Sequence, residues 1–437
     1  MQRLKSTPRA IRRGLIAASC ALLGVARAKG QQLLDPALSG EGTPVADRWV
    51  IGLALSYYQE KGRIRVIEPI VSAVKDFQNG QVVNLHFSVD SLTGASPNGA
   101  VTSFLPQTFA GPSGKVTHNY TTPPGDLPVD PFYHDVRIAA SGSWQLPLSR
   151  VTSWTVGAKV SYEHDFLSLT GDTSIARNFD QDNTTLSLGV YDENDTIRPI
   201  GGVPVPGSDT SFAEKERISN ESRNDIGALI GVSQVMNRHW LAQVNVSLDR
   251  ASGYMNDPYK IMSVVESEGI TTGYLYERRP AQRTRASVYV DNRVGWQRQS
   301  VDLSLRYFGD DWGVRSYTAR VRYRWWNADQ GSYWQPSLRW YRQTAADFYH
   351  PWMSLAEVGS LSSASADSRL GAFHALTYGL EYGIDIGTPY VHPKWLTVRV
   401  QYYRQMVDAR IPGPGALAAL NLYPGLTAIQ AQVTYRF

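Results

Sequence analysis

The segment from Ile429 to Phe437 constrains this chain more than any other. Its odd positions, Ile429, Ala431, Val433, Tyr435 and Phe437, are apolar or aromatic, while Gln430, Gln432, Thr434 and Arg436 between them are polar. A repeat of two puts alternate side chains on opposite faces of an extended strand. One face then needs an apolar medium and the other needs water, the condition of a strand in the wall of a lipid-embedded barrel.

The same alternation recurs along the chain. Trp49, Ile51, Leu53, Leu55 and Tyr57 form one apolar face, and Trp154, Val156, Ala158, Val160 and Tyr162 form another. Trp240 to Leu248, Val301 to Tyr307, Tyr317 to Trp325, Leu376 to Ile384 and Leu396 to Tyr402 repeat it. Strands of this kind also reconcile two facts of composition. The chain is 11% aromatic, yet it contains no spanning-length apolar run and its mean hydropathy is slightly polar at -0.29. The fold class expected is all-β: a transmembrane antiparallel up-and-down β-barrel of about sixteen strands, with fourteen to eighteen open.

Connection lengths support an even count. Starting upward from Trp49, short turns are expected at Gln78-Asn79-Gly80, Leu148-Ser149-Arg150, Asp180-Gln181-Asp182, Asn237-Arg238, Arg293-Val294-Gly295, Asp329-Gln330-Gly331 and Pro389 to His392. Long connections fall at the other end: Ser91 to Phe132, Asp192 to Glu221, Ala251 to Gln282, Thr344 to Ala366 and Met406 to Leu426. Outer-membrane barrels keep both termini and the short turns in the periplasm. Trp49, Trp144, Trp154, Trp240, Trp296, Trp325, Trp326, Trp334 and Trp395 all lie near the short turns, as an interfacial girdle requires.

The N-terminus reads as an export signal over residues 1–28. Arg3, Lys5, Arg9, Arg12 and Arg13 precede the apolar stretch Gly14 to Val25, and Ala26-Arg27-Ala28 is a small-residue cleavage site. Arg12-Arg13 is read as an ordinary n-region pair, because a barrel crosses the inner membrane unfolded. Residues 29–47 form a short periplasmic segment, too short for a globular plug, and 48–437 form the barrel. Cys20, the one cysteine, leaves with the signal, so no thiol chemistry is expected in the mature protein. The expected location is the bacterial outer membrane. The closing strand with Val433, Tyr435 and Phe437 resembles the signal read by barrel assembly machinery.

Several stretches carry a family resemblance. Tyr57-Tyr58-Gln59-Glu60-Lys61-Gly62-Arg63-Ile64-Arg65-Val66 and Asp90-Ser91-Leu92-Thr93-Gly94-Ala95-Ser96-Pro97-Asn98-Gly99-Ala100 are the main ones, with Asn183 to Gly189 and Asp310-Asp311-Trp312-Gly313. They resemble a proteobacterial outer-membrane family known only as a domain of unknown function. The resemblance implies an outer-membrane location and brings no activity and no site residues.

Candidate chemistry lies on the expected lumen face. Arg320, Arg322 and Arg324 alternate along one strand, Arg306, Arg339 and Arg399 point inward nearby, and Arg285 joins them. Such a wall would attract anions. The alternative is a salt-bridged interior, since Asp302, Glu381, Asp249, Asp90 and Glu163 share that face. The salt-bridged reading is favoured, because barrel interiors are commonly polar with no dedicated substrate. The pore-lining candidates are therefore Arg306, Arg320, Arg322, Arg324, Arg339, Glu381 and Arg399.

No catalytic residue, cofactor or metal site is expected. The histidines are scattered, with neither H-E-x-x-H nor G-x-S-x-G. Glu163-His164-Asp165 is a rim cluster in which strand alternation turns His164 away from both carboxylates. The Asp90 to Ala100 motif lacks EF-hand and phosphate-loop spacing and reads as a strand-to-loop transition. A net charge of +4 gives no reason to expect nucleic acid. Expected partners are outer-membrane lipids and lipopolysaccharide, the assembly machinery, and a periplasmic or surface protein. The functions left open are a porin-like channel or conduit, a non-conducting interaction barrel with long loops, and, less favoured, a rim hydrolase.

Overall fold

A computed structural model describes residues 48–437 apart from 78, 111–118, 211–216, 388–393, 409–411 and 423–424. The export signal at 1–28, the segment 29–47 and the core of the Pro389 to His392 turn lie outside the described residues. Sixteen antiparallel strands close into one barrel in sequence order. They are β1 (Trp49–Glu60), β2 (Arg65–Asp76), β3 (Val82–Pro97), β4 (Val129–Pro147), β5 (Thr152–Tyr162), β6 (Phe166–Phe179), β7 (Thr184–Ile197) and β8 (Glu221–Asn237). The ring continues with β9 (Trp240–Gly253), β10 (Gln282–Gly295), β11 (Gln299–Asp310), β12 (Arg315–Trp326), β13 (Ser332–Gln343), β14 (Phe373–Asp385), β15 (Trp395–Val407) and β16 (Leu426–Arg436).

Most large apolar residues of the strands face outward. On β1, Leu55 is 54% exposed while its neighbour Ser56 is 3% exposed. This inverts the arrangement of a soluble protein and suits a wall with hydrocarbon outside and polar groups inside. Closure follows from the terminal strand. β16 pairs with β1 in the register Leu53↔Tyr435 and Leu55↔Val433, and Ile51 and Phe437 exchange two backbone hydrogen bonds of 2.8 and 2.9 Å. No strand edge is left unpaired in the ring.

All the long connections fall at one end, as the sequence implies, alongside tight turns there between β1 and β2, β5 and β6, and β11 and β12, and several strands run further than expected. β3 continues to Pro97 and β7 to Ile197. The Asp90 to Ala100 motif is strand as far as Pro97 and loop from Asn98, so the expected strand-to-loop transition lies at its far end. Gly94, at φ +125°, sits at a register shift against β4, and the chain leaves the wall at Asn98. The tryptophan girdle also needs correction. Trp49, Trp144, Trp154, Trp240, Trp296 and Trp334 are exposed near the turn end. Trp326 and Trp395 instead pack on each other and on Tyr333, with ring centroids 4.9 to 6.0 Å apart. Tyr333 donates to the lumen residue Glu381, which puts this aromatic group on the inner face. Consecutive residues point to opposite faces, so Trp325 and Trp326 cannot both face lipid.

Most of the apolar clusters lie in the long loops, and a small one of Tyr191 and Leu229 lies in the wall. The β9–β10 loop contains the strands Ile261–Val265 and Thr271–Tyr276, which join Met353–Ser354 of the β13–β14 loop in a small sheet. The β3–β4 loop meets it from across the ring: Ile261 donates to the Asn98 carbonyl at 2.9 Å, and Val101 donates to Ser263 at 3.2 Å. Gly99 permits the contact, since a Cβ there would lie 2.4 Å from the Ile261 oxygen. The β15–β16 loop adds Leu417 and Leu422 to a cluster with Val101 and Val265. β3 and β9 are separated by β4 to β8, so these contacts roof the mouth.

Candidate functional site

The inner wall from β10 to β15 concentrates the charge. On β12, Ser316, Thr318, Arg320, Arg322, Arg324 and Trp326 share the face opposite Tyr317, Val321 and Trp325, because successive residues of a strand alternate. Arg306 of β11, Arg339 of β13, Glu381 of β14 and Arg399 of β15 occupy the same inner face by the same rule.

Towards the turn end the arginines are held by carboxylates. Arg399 Nε donates to Glu381 at 2.7 Å, and Arg324 stands 3.9 Å from Glu381 and donates to Gln335 at 2.7 Å. Arg324 also stacks over the Tyr333 ring at 4.2 Å. One strand further, Asp302 receives Arg293 at 2.8 Å and Arg322 at 3.1 Å. Arg285 pairs with Asp225 at 2.5 Å, Arg223 pairs with Asp195, and Arg137 pairs with Asp90. Asp249 accepts from Tyr191 rather than from arginine. A salt-bridged wall thus accounts for Arg285, Arg322, Arg324, Arg399, Glu381 and Asp302. A recess between β12 and β15 is lined by Arg320, Arg322, Gln335, Ser337, Glu381 and Arg399.

Arg306, Arg320 and Arg339 are arranged differently. Arg320 lies directly opposite Arg339 in the β12–β13 register, and Arg306 is opposite Thr318, one inward position further along β12. Arg306 and Arg339 lie against aromatic rings, Phe308 at 5.7 Å and Tyr341 at 5.3 Å. The juxtaposition depends on strand register, which the spacing of residues within one strand does not reveal.

Two further groupings escaped the sequence reading. At the rim, Asp135 of β4 joins Glu163 and Asp165 of the β5–β6 hairpin, with one carboxylate oxygen from each within 4.8 Å of the others. Burial and the charges of Asp135, Asp165 and Asp90 push Glu163 up to about 7, against the pull of Arg137. Glu163 and Asp165 come together in the tight β5–β6 turn rather than by strand alternation, and their third partner comes from β4, the strand paired with β5.

The roof holds the second grouping. Arg279, 3% exposed on its side chain, lies 2.8 Å from Glu277 and 2.9 Å from Asp367 of the β13–β14 loop. Arg369 closes the group on Asp367 at 2.6 Å and Asp257 at 3.0 Å. Burial raises the Asp367 carboxyl, but Arg369 and Arg279 outweigh it and hold the group well below the usual carboxylate range. The same burial raises Glu277.

The family described as Protein of unknown function (DUF3570) matches residues 13–437. No curated protein matches the chain. Among solved structures, the chain is similar to a bacterial polysaccharide outer membrane secretin, at 9% identity and a TM-score of 0.44, over 90% of this chain and 99% of that one. It is also similar to the outer membrane protein opdK from Pseudomonas aeruginosa, at 9% identity and a TM-score of 0.40, over 91% and 100%. OccK2 (OpdF) from Pseudomonas aeruginosa follows at 10% identity and a TM-score of 0.38, over 91% and 99%. At such identity these likenesses transfer no activity or substrate.

Proposed function

The chain belongs to the DUF3570 family, and we propose that it is a porin-like channel in the outer membrane of a Gram-negative cell, passing small solutes. The observation that carries this reading is a closed ring of sixteen strands with a charged inner face. About eight strands make a barrel narrow enough for its own side chains to fill, whereas about sixteen leave an aqueous lumen. Ionised arginines on the inner face would be costly in a dry core and are stable beside water. The outward apolar residues support lipid and lipopolysaccharide as surroundings. Val433, Tyr435 and Phe437 lie on or just beyond the closing strand β16, where assembly machinery would read them. No catalytic role is part of this proposal.

The roof favours a second reading, a non-conducting barrel whose packed loops present a surface to another protein. A conduit for a partner threaded through the lumen would have to displace those same loops. Liposome swelling separates the two readings. Full-length protein refolded into liposomes should admit small sugars and exclude large ones, after fractionating with the outer membrane in cells. Sealed liposomes containing heat-modifiable, folded barrel would favour the interaction reading, and fractionation with soluble periplasmic protein would remove both.

A further inference from the structure

We infer that one side of the outer wall binds the phosphate groups of an outer-leaflet glycolipid, lipopolysaccharide, through Arg315, Arg342, His374, Arg404, Lys61 and Arg65. The inference rests on the proposed placement in the outer membrane with the long loops outside, and it does not depend on the channel. Register brings these residues into one row. Arg342 lies opposite His374, and Arg315 and Arg404 each stand one outward position away on the flanking strands. Ring closure extends the row. Arg404 is opposite Thr427 of β16, whose carbonyl accepts from the Lys61 amide at 2.9 Å, and Arg65 is opposite Gln59. Residues from both ends of the sequence therefore share it. Its height on the wall is set by what lies beneath. Arg315, Arg342, Arg404 and Arg65 each stand two residues from an exposed apolar or aromatic residue of the same face, Tyr317, Trp340, Tyr402 and Ile67. The row thus marks where the apolar belt ends and lipid headgroups begin.

The charge of the row is only partly met by the protein. Asp408 accepts from Arg342 at 3.0 Å and contacts His374 Nδ1, yet Arg342 keeps 61% of its side chain exposed. Among the described residues, Arg315, Arg404, Lys61 and Arg65 enter no ion pair. Asp311, beyond Arg315 on the same face, accepts instead from the Thr284 amide. The outward positions at the same end of β7 and β8 have a different character. They are Asp192, Asn194 and Asn224, which hydrogen-bond among themselves. A general adaptation to an anionic leaflet would ring the barrel, and this row does not extend over β7 and β8. Guanidinium forks match phosphate oxygens through paired N–H donors. The long side chains can lay their stems on the apolar wall while their charged heads reach the headgroups. A phosphate seated between them offsets the repulsion of cations gathered on neighbouring strands.

Titration of detergent-folded, full-length protein tests this at constant ionic strength. The probes are lipopolysaccharide, lipopolysaccharide dephosphorylated by a phosphatase, and inorganic phosphate. Saturable binding of the first, lost or weakened at least tenfold in the second, supports the site. Arg404→Gln should weaken binding about fivefold, the worth of one basic side chain at an anionic surface. Should that variant fail to fold, Lys61→Gln in the β1–β2 turn should weaken binding by a similar factor. Lys75→Gln, outward at the opposite end of β2, should leave it unchanged. Equal binding of phosphorylated and dephosphorylated glycolipid overturns the inference, as does equal loss in the Lys75 and Arg404 variants. Inorganic phosphate binding as tightly as the glycolipid would also overturn it, because the site would then not be one for lipid. Failure of the site would appear as lost preference in a barrel that still fractionates with the outer membrane. Failure of the placement would appear in the fractionation itself.

Discussion

Gly227 occupies an inward position on β8 where Tyr191 of β7 crosses to Asp249 of β9. A Cβ at Gly227 would stand 2.4 Å from both the Tyr191 ring and the Asp249 carboxylate. Gly227→Ala should therefore lower stability by about 1–3 kcal/mol through forced repacking. Denaturant titration of the detergent-folded protein measures it, and an unchanged midpoint would refute the crossing. Glu163 supports a prediction of pH dependence. Its folded pKa, pushed up to about 7, exceeds the unfolded value near 4.3. The folded state therefore binds its proton more tightly, and this stabilising contribution is full below about 4.3 and lost as pH rises through about 7. Glu163→Gln should be more stable than the wild type at pH 8, with the gap closing towards pH 4. A difference in denaturation midpoint that stays constant across that range would contradict the assignment. The sequence shows Glu163 and Asp165 as one rim cluster, but they meet in the tight β5–β6 turn rather than through strand alternation. It does not reveal Asp135, because that depends on the register of β5 against its neighbour β4 and on how far β4 runs past that hairpin.

At the scale of elements, the wall strands could be read from period-two patterning, and the ends of the hairpins from their lengths. β3 and β7 ran beyond their expected ends because Asp, Asn, Ser and Thr in their upper halves look like loop residues. In a tall wall those residues remain paired to neighbouring strands above any apolar belt. The roof was not legible at all. The contacts of Asn98 with Ile261 and of Arg278 with Ala364 join residues far apart in sequence, and nothing in either loop announces its partner. The buried group around Arg279 ties the β9–β10 loop to the β13–β14 loop. Removing one member of a buried ion group leaves the others uncompensated, at a cost of about 3–5 kcal/mol. Arg279→Ala should thus loosen the roof while sparing the wall. Deuterium exchange should rise across residues 254–281 and 344–372 and stay unchanged in β1 to β8. Uniform protection in the variant would show that the ion group does not hold the loops.

For the molecule as a whole, the closing strand sets the architecture. The alternation of Ile429 to Phe437 implies a wall strand, and its pairing with β1 makes that wall a ring of sixteen. The sequence conveyed the sign and number of the inner charges through Arg320, Arg322 and Arg324. It could not show which arginines would meet carboxylates, because pairing depends on register between strands. Arg322 and Arg324 are matched by Asp302 and Glu381, and Arg320 lies opposite Arg339 in the register. In the proposed channel, the roof over one end of the charged wall would restrict entry. Single-channel recording in planar bilayers tests that description most directly. Wild-type protein should give conductance steps of uniform size, and Arg279→Ala should give larger or longer openings. Silence from both proteins, each shown to be folded by its heat-modifiable migration, would contradict a channel.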